Sequence, residues 1–368
     1  MALRASNPLV PKISRSGYSG EVKPARISIR ASDNGLKEKK RSFSGFSPSK
    51  EDFFRLDLDL TVRDLERLFQ QKSGAGNDFS GRPVRVAYQG VRGSYCQEAA
   101  MKSYTFCNAL PCNQMEEAFK ALEEKTADRA IIPVENSIDG QIGRNFDLLV
   151  RHNASIVGES IFPVNHCLLA IKGCEKTSIK RIVSHPQAIS HCKTRLEALG
   201  LEIEEVSNSA EAAKILSENS ITDTAVIGSQ IAAKEFGLQI LEQNLQERNG
   251  NFNRFFHLAL SPATFPTSSS GNSSCKTTIA FSLENGVSDL ARALLIFETR
   301  DIPVTRVDHR PNRSRPIRVV KNEEHRVGYF DYVFLLDIEG HESDPKVEKA
   351  LQNLNEVSGF LRVLGSYT

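Results

Sequence analysis

VRVAYQGVRGSYCQEAAMKSY, residues 84–104, changes periodicity part-way along. Val84–Tyr88 is a short run of β-branched and aromatic residues, the pattern of a strand. Gly90-Val91-Arg92-Gly93-Ser94 interrupts it, and Tyr95 to about Tyr104 reads as a helix. The same switch recurs downstream. Arg129–Val134, Ser155–Phe162, Cys167–Ile171, Arg181–Ser184, Glu202–Val206, Thr224–Ile227 and Phe255–Leu260 read as strands. Met115–Glu124, Asn145–Arg151, Gln187–Leu199, Ala210–Glu218 and Ser229–Phe236 read as helices. Strands alternating with helices of about ten residues predict an α/β fold with a largely parallel sheet. Two such blocks, 84–160 and 165–245, predict two lobes with a cleft between them.

Outward from this body the composition changes at both ends. Residues 261–276 carry six Ser and two Pro without periodicity, the mark of a linker. Beyond it, Thr277–Leu283, Val287–Thr299, Val304–Arg310, Tyr332–Glu339, Lys346–Phe360 and Arg362–Tyr367 form a βαββαβ pattern, with Ile317–Val320 as an extra strand. That order predicts a ferredoxin-like domain at 277–368. At the other end, residues 1–50 hold 11 Lys/Arg against 3 Asp/Glu, a net of +8, together with 10 Ser. The whole chain has 47 against 45, so residues 51–368 hold 36 against 42, a net of −6. A Ser-rich, basic, acid-poor leader reads as an organelle transit peptide, with a disordered basic tail as the alternative. The stretch 51–83 reads as a linker containing one amphipathic helix, Thr61–Lys72.

Composition excludes several classes. No run of about 18 apolar residues occurs, so no spanning helix and no membrane partner is expected. Once the leader is set aside, no basic patch suggests nucleic acid. The seven cysteines (96, 107, 112, 167, 174, 192, 275) include no CxxC pair, which suits a reducing compartment and offers no zinc framework. No metal spacing, P-loop or dinucleotide fingerprint is present.

Three stretches look shaped by a ligand. Tyr88-Gln89-Gly90-Val91-Arg92-Gly93-Ser94-Tyr95 joins a strand to a helix, where glycines and backbone N–H groups favour an anion, with a tight turn that holds no ligand as the alternative. Pro133-Val134-Glu135-Asn136-Ser137-Ile138-Asp139-Gly140 follows a buried strand, with Glu135, Asn136 and Ser137 in succession at its C-terminal end, where clefts open in α/β sheets; a helix-capping loop is the alternative. Asn249-Gly250-Asn251-Phe252-Asn253-Arg254-Phe255 is polar and tight just before the last strand of the block. His185-Pro186-Gln187 is a helix entry at which His185 reads as a structural cap rather than a base.

These segments in this order resemble the prephenate/arogenate dehydratase family in its plant plastid form. The matching stretches are VAYQGVRGSYCQEAA (86–100), PVENSIDGQIGRNFDLLVRH (133–152), NHCLLAIKG (165–173), SHPQAISHC (184–192), NFNRFFHLA (251–259) and FLRVLGSY (360–367). The resemblance implies a two-lobed dehydratase domain, 84–260, like a type II periplasmic binding protein, followed by an ACT domain at 277–368. It implies loss of CO2 and water from arogenate or prephenate in the chloroplast stroma, with no cofactor and no metal, because aromatisation drives the reaction. It also implies L-phenylalanine as effector and a homo-oligomer formed through the ACT domain. By resemblance, Asn253, Arg254, Asn136 and Ser137 would carry catalysis. Gly93, Ser94, Tyr95, Cys96, Glu135, Gly140 and Phe255 would bind substrate, with Glu135 alternatively a structural support. Gly286, Asp308, His309, Arg310 and Pro311 would bind phenylalanine.

The chain departs from the family pattern at four points. Asn253 stands where the family has Thr, its best-supported catalytic hydroxyl. Cys96 replaces a Ser and Asp139 replaces a Gly. Asp308-His309-Arg310-Pro311 replaces Glu-Ser-Arg-Pro, which predicts weak inhibition by phenylalanine. An active lyase is the expectation, with a catalytically weak subunit that binds ligand and regulates active partners as the alternative.

Overall fold

Strand and helix alternate through two sheets rather than one, because the chain leaves the first sheet after Pro163 and returns to it at Phe252. The computed structural model describes residues 82–248, 250–262, 275–321 and 326–368. The leader, the Thr61–Lys72 helix and residues 263–274 of the linker lie outside the described residues.

The first lobe contains β1 (Arg85–Gln89), α1 (Tyr95–Ser103), β2 (Asn108–Cys112), α2 (Met115–Glu123), β3 (Arg129–Asn136), β4 (Gly140–Gln141), α3 (Gly143–Arg151) and β5 (Ser155–Pro163). The second contains β6 (Cys167–Ala170), β7 (Arg181–Ser184), α4 (Pro186–His191), α5 (Lys193–Leu199), β8 (Glu202–Glu205), α6 (Ser209–Glu218), β9 (Thr224–Gly228), α7 (Gln230–Phe236) and β10 (Gln239–Glu242). The chain then re-enters the first sheet as β11 (Phe252–Ala259), between β3 and β5, in the order β2-β1-β3-β11-β5. The second sheet runs β10-β6-β9-β7-β8.

The expected largely parallel sheet is corrected here, since both sheets are mixed. β1 is parallel to β2 and β3, but β11 is antiparallel to both its neighbours. A strand returning from the other lobe has no crossover helix to reverse it, so it pairs antiparallel. In the second sheet β7 is parallel to β8 and β9, whereas β6 is antiparallel to β9 and β10. The unforeseen strands β2 and β10 are both sheet edges. Pro111 in β2 is tolerated there because an edge strand need not donate on its outer side. The single helix expected over 187–199 breaks at Cys192, whose backbone leaves helical geometry (φ −115°, ψ 12°) as its side chain enters the core.

The remaining described chain forms a four-stranded antiparallel sheet. β12 (Lys276–Leu283), α8 (Leu290–Glu298), β13 (Val304–Pro311), the hairpin β14 (Ile317–Lys321) and β15 (Arg326–Phe330), β16 (Tyr332–Glu339), α9 (Pro345–Val357) and β17 (Ser358–Tyr367) follow in βαββαβ order. The strand order is β13-β16-β12-β17. One face packs on α8 and α9 through Phe281, Phe297, Leu336 and Leu354. The other face lies on the first lobe, where Ala280, Leu335, Leu364 and Tyr367 join Phe146, Ile156 and Phe256 in one core.

Close approach and charge hold this second face down. A β-carbon at Gly365 would fall on the Ile156 carbonyl oxygen and lie 2.7 Å from its nitrogen. Arg362 donates to the carbonyls of Val150 and His152 at the end of α3, where a cation complements the helix dipole. Arg310 forks onto Asp147 of α3 at 2.8 and 3.1 Å, and Arg313 joins it. Burial pushes the Asp147 carboxyl up, but these arginines outweigh it and hold the group below the usual range. Gly365→Ala is therefore expected to lower unfolding stability by about 1–3 kcal/mol, the range for overpacking a filled interface. Urea denaturation checks this beside Gly359→Ala, whose added carbon would meet only the Ser282 hydroxyl at 3.4 Å. Equal losses would contradict the close-approach argument.

Candidate active site

The two lobes enclose a cavity of about 340 Å³. Its walls come from the ends of strands and the starts of helices, the places where chain reversal leaves polar groups unpaired. Ser94 caps α1, its Oγ accepting from the Gln97 N–H at 3.3 Å. Asn208 caps α6, its Oδ1 accepting from Ala210 and Glu211. Both helix starts line the cavity and offer positive dipole ends to an anion. Ser229 bridges the lobes by donating to the Gly93 carbonyl at 2.6 Å. Gly93 allows this approach, since a β-carbon there would lie 2.8 Å from the Phe236 ring. Among the described residues no Lys or Arg lines the cavity.

At the floor the ends of β3 and β11 are locked together. Asn136 and Asn253 are register partners. The buried Asn136 amide donates to Asn251 Oδ1 at 2.7 Å and to Asn253 Oδ1 at 2.8 Å. Its own Oδ1 accepts from the backbone N–H of Ile138 and Asp139. All four hydrogen-bonding places of this side chain are filled. Asn253 Oδ1 is thereby occupied, and its Nδ2, which has no partner among the described residues, is the end left to serve the cavity.

A second polar group crosses the cavity. Tyr95 Oη lies 2.7 Å from His166 Nδ1, and His166 Nε2 lies 3.2 Å from His191 Nδ1. His191 Nε2 lies 3.0 Å from Asp139, which also accepts from Gln187 Nε2 at 2.6 Å. Burial, reinforced by His191, pushes the His166 imidazole down to about 4, so it is neutral at pH 7. Burial likewise keeps the Tyr95 phenol protonated and pushes the Cys96 thiol up to about 12.

The opposite face of β11 does different work. Side chains alternate along a strand, so Arg254 points away from the cavity that Asn253 enters. Its guanidinium donates to Glu159 at 2.9 Å, Asp337 at 2.8 Å and Tyr367 Oη at 3.1 Å, and covers the Phe256 ring. Burial alone would lower the Arg254 pKa, but the anionic partners reverse this and raise it. Burial pushes Glu159 up, and Arg254 and Lys276 more than offset it, leaving that carboxyl lowered.

Of the eleven catalytic or substrate-binding positions expected from sequence, Gly93, Ser94, Tyr95, Cys96, Asn136 and Asn253 meet at the cavity. The others do not line it. Arg254 belongs to the interface just described. Glu135 faces Arg254 and Arg306 at 3.6 and 3.7 Å. Ser137 ties its turn to Gly250 and Phe252, Gly140 pairs with Asn136, and Phe255 is buried against Phe162. His185 is a cap, its Nδ1 accepting from the Gln187 N–H. His185 and Gln187 of that helix entry also line the cavity, and so do His166 and His191, which were not singled out. The signal available was a pair of histidines inside two polar stretches, with nothing local to bring them together.

A family model described as prephenate dehydratase matches residues 86–263. The Arabidopsis thaliana protein named arogenate dehydratase/prephenate dehydratase 6, chloroplastic, is 45% identical over 78% of this chain and 69% of its own length. The chain belongs to the prephenate/arogenate dehydratase family. Its fold resembles the L-Phe complex of prephenate dehydratase from Arthrobacter aurescens, 25% identical, with a TM-score of 0.66 over 77% of this chain and 90% of that one. A protein described as a quorum-quenching acylase matches with a TM-score of 0.66 at 29% identity, over 77% of this chain and 97% of that one. The family fold is therefore shared with a protein described by a different chemistry, and the site must carry the functional argument.

Two outcomes are expected. Arg254→Met leaves Asp337, 1% exposed, without its closest cation and should cost about 3–5 kcal/mol by chemical denaturation. A loss under about 1 kcal/mol would show the pair to be dispensable. His166 and His257 are both pushed down to about 4, chiefly by burial. The native chain then binds fewer protons than the unfolded one between about pH 4 and 6.5. Stability should fall as pH drops through this window, so the urea midpoint at pH 5.5 should lie below that at 7.5; equal midpoints would contradict it.

Proposed function

We propose that the chain is a decarboxylating dehydratase that converts L-arogenate to L-phenylalanine, with prephenate to phenylpyruvate as the second substrate of the same chemistry. The observation that carries this reading is the cavity itself. It offers helix N-termini for carboxylates and an Asn253 amide whose orientation is set by Asn136. The breaking C–C bond releases CO2, and its electron pair passes through the ring to expel the hydroxyl. One proton is consumed in making water. Asn253 can donate a hydrogen bond to the departing oxygen and so spread its charge, but an amide does not surrender a proton. An inactive regulatory subunit is not favoured, because the cleft retains polar donors where the reaction requires them.

In this proposal 84–260 is the dehydratase domain, with a two-lobed shape like a type II periplasmic binding protein. Residues 277–368 are an ACT domain that binds L-phenylalanine and pairs with a second copy. Asn285, Val287, Arg318 and Tyr329 around Gly286 line an open cavity that suits an amino acid. Asp308 and Arg310, on the adjoining strand, instead hold Arg306 and Asp147, while His309 packs edge-on against Tyr332 and Pro311 ends the strand. That arrangement supports weak inhibition by phenylalanine. The protein acts in the plastid stroma, with residues 1–50 as the proposed transit peptide and 51–83 as a linker.

Incubation of the full chain with arogenate should yield phenylalanine and CO2. Asn253→Ala should lower kcat about 10²–10³-fold with little change in KM, the signature of a contact made mainly in the transition state. Absence of product from both arogenate and prephenate would overturn the reading.

A further inference from the structure

We propose that Tyr95, His166, His191 and Asp139 form a proton wire that supplies the departing hydroxyl, with Tyr95 the catalytic acid and the other three positioning residues. This rests on the dehydratase reading above, whose reaction consumes one proton per turnover. The groups closest to a usable donor fail individually. Asn253 holds its protons too firmly. Desolvation makes poor acids of both the Cys96 thiol and the Tyr95 phenol, but Tyr95 has a hydrogen-bonded proton source behind it. The wire meets the need because its hydrogen bonds are sequential and its far end holds the stored charge beside a carboxylate. Tyr95, His166 and His191 line the cavity, while the Asp139 side chain is one-third exposed.

In the resting state the directions follow from chemistry. Asp139 can only accept, so His191 carries its proton on Nε2. His191 Nδ1 then accepts from His166 Nε2–H, and His166 Nδ1 accepts from the Tyr95 hydroxyl. Asn251 Nδ2, 3.1 Å from the same His191 nitrogen, favours this form. Loading is a hop along the same bonds: the His166 Nε2 proton passes to His191 Nδ1, the Tyr95 proton passes to His166 Nδ1, and a solvent proton entering the open cavity replaces it on the phenol. His191 Nδ1–H then donates to His166, His166 Nδ1–H donates to Tyr95, the phenol O–H points into the cavity, and the added charge rests on His191 beside Asp139. When the C4–O bond breaks, the Tyr95 proton passes to the leaving oxygen and forms water. The His166 proton replaces it and the His191 proton replaces that one, restoring the resting state. After product leaves, solvent in the open cavity reloads the wire through Tyr95, and the charge returns to His191 beside Asp139. The other titratable groups around the wire are Cys96 and Glu98 on α1, Cys167 on β6, His185 before α4 and Cys192 after it.

The test is steady-state kinetics of the full chain with arogenate across pH in H2O and D2O. The wild type should show a solvent isotope effect on kcat and a kcat that falls as rising pH leaves the wire without its extra proton. Tyr95→Phe should lower kcat about 10²–10⁴-fold at nearly constant KM. His191→Gln keeps hydrogen-bonding groups at both ends but cannot carry the proton. It should lower kcat about a hundredfold and abolish the high-pH limb. Wild-type kcat, isotope effect and pH profile in both variants would overturn the wire. Nitrogen NMR of the imidazoles gives a reading independent of turnover. The wire requires Nε2–H on both His166 and His191 at high pH, and Nδ1–H on His166 would overturn it. A wild type without turnover but with both Nε2–H tautomers would sink the dehydratase reading and the proton's destination while leaving the hydrogen-bonded chain intact.

Discussion

The saturated side chain of Asn136 is the constraint on which the site depends. Its two donors bind Asn251 and Asn253, and its two acceptor positions take the N–H groups of Ile138 and Asp139. One residue thereby sets the register where β11 re-enters the first sheet, the orientation of the Asn253 amide, and the turn that brings Asp139 against His191 of the second lobe. A buried amide with one of these bonds missing would leave a polar group uncompensated, at about 1–3 kcal/mol. Asn136 has no capacity left for a ligand, so it acts by arranging other groups.

β11 carries this arrangement outward. Asn253 faces the cavity, while the next residue, Arg254, faces the four-stranded sheet through Asp337 and Tyr367. Glu135 and Asn136 divide in the same way on β3, with Glu135 toward Arg254 and Arg306. Any shift of that sheet relative to the first lobe must strain two strands whose other faces form the cavity floor. The polar contacts explain how the sheet is seated, and the continuous core through Phe256, Ile156 and Leu364 supplies the area that holds it.

Most of the fold was legible in sequence because periodicity reports burial. Residues 84–104 switch from strand to helix where expected, and the central strands at 129 and 224 begin where expected. The edge strands β2 and β10 were not legible, since an edge needs neither alternation nor a long apolar run. The parallel sense of the sheets was misjudged because strand direction depends on where a strand enters, which no local pattern records. Within the site, the residues at chain reversals, Gly93 to Tyr95 and Asn136, announced themselves by composition, and Cys96 only by family resemblance. Arg254 and Asn253 looked like one motif, although a strand's alternation sends them to opposite sides. His166 and His191 belong to different elements, and only the closed cleft brings them together.

The most direct test of the central claim, that this interlobe cavity holds and dehydrates the substrate, is a crystal structure of the full chain with a stable arogenate analogue that keeps the C4 hydroxyl. The account predicts the C4 oxygen within hydrogen-bonding distance of Tyr95 Oη or Asn253 Nδ2, with carboxylates at the starts of α1 and α6. An analogue bound outside the cleft, or one whose C4 oxygen faces neither group, would contradict it.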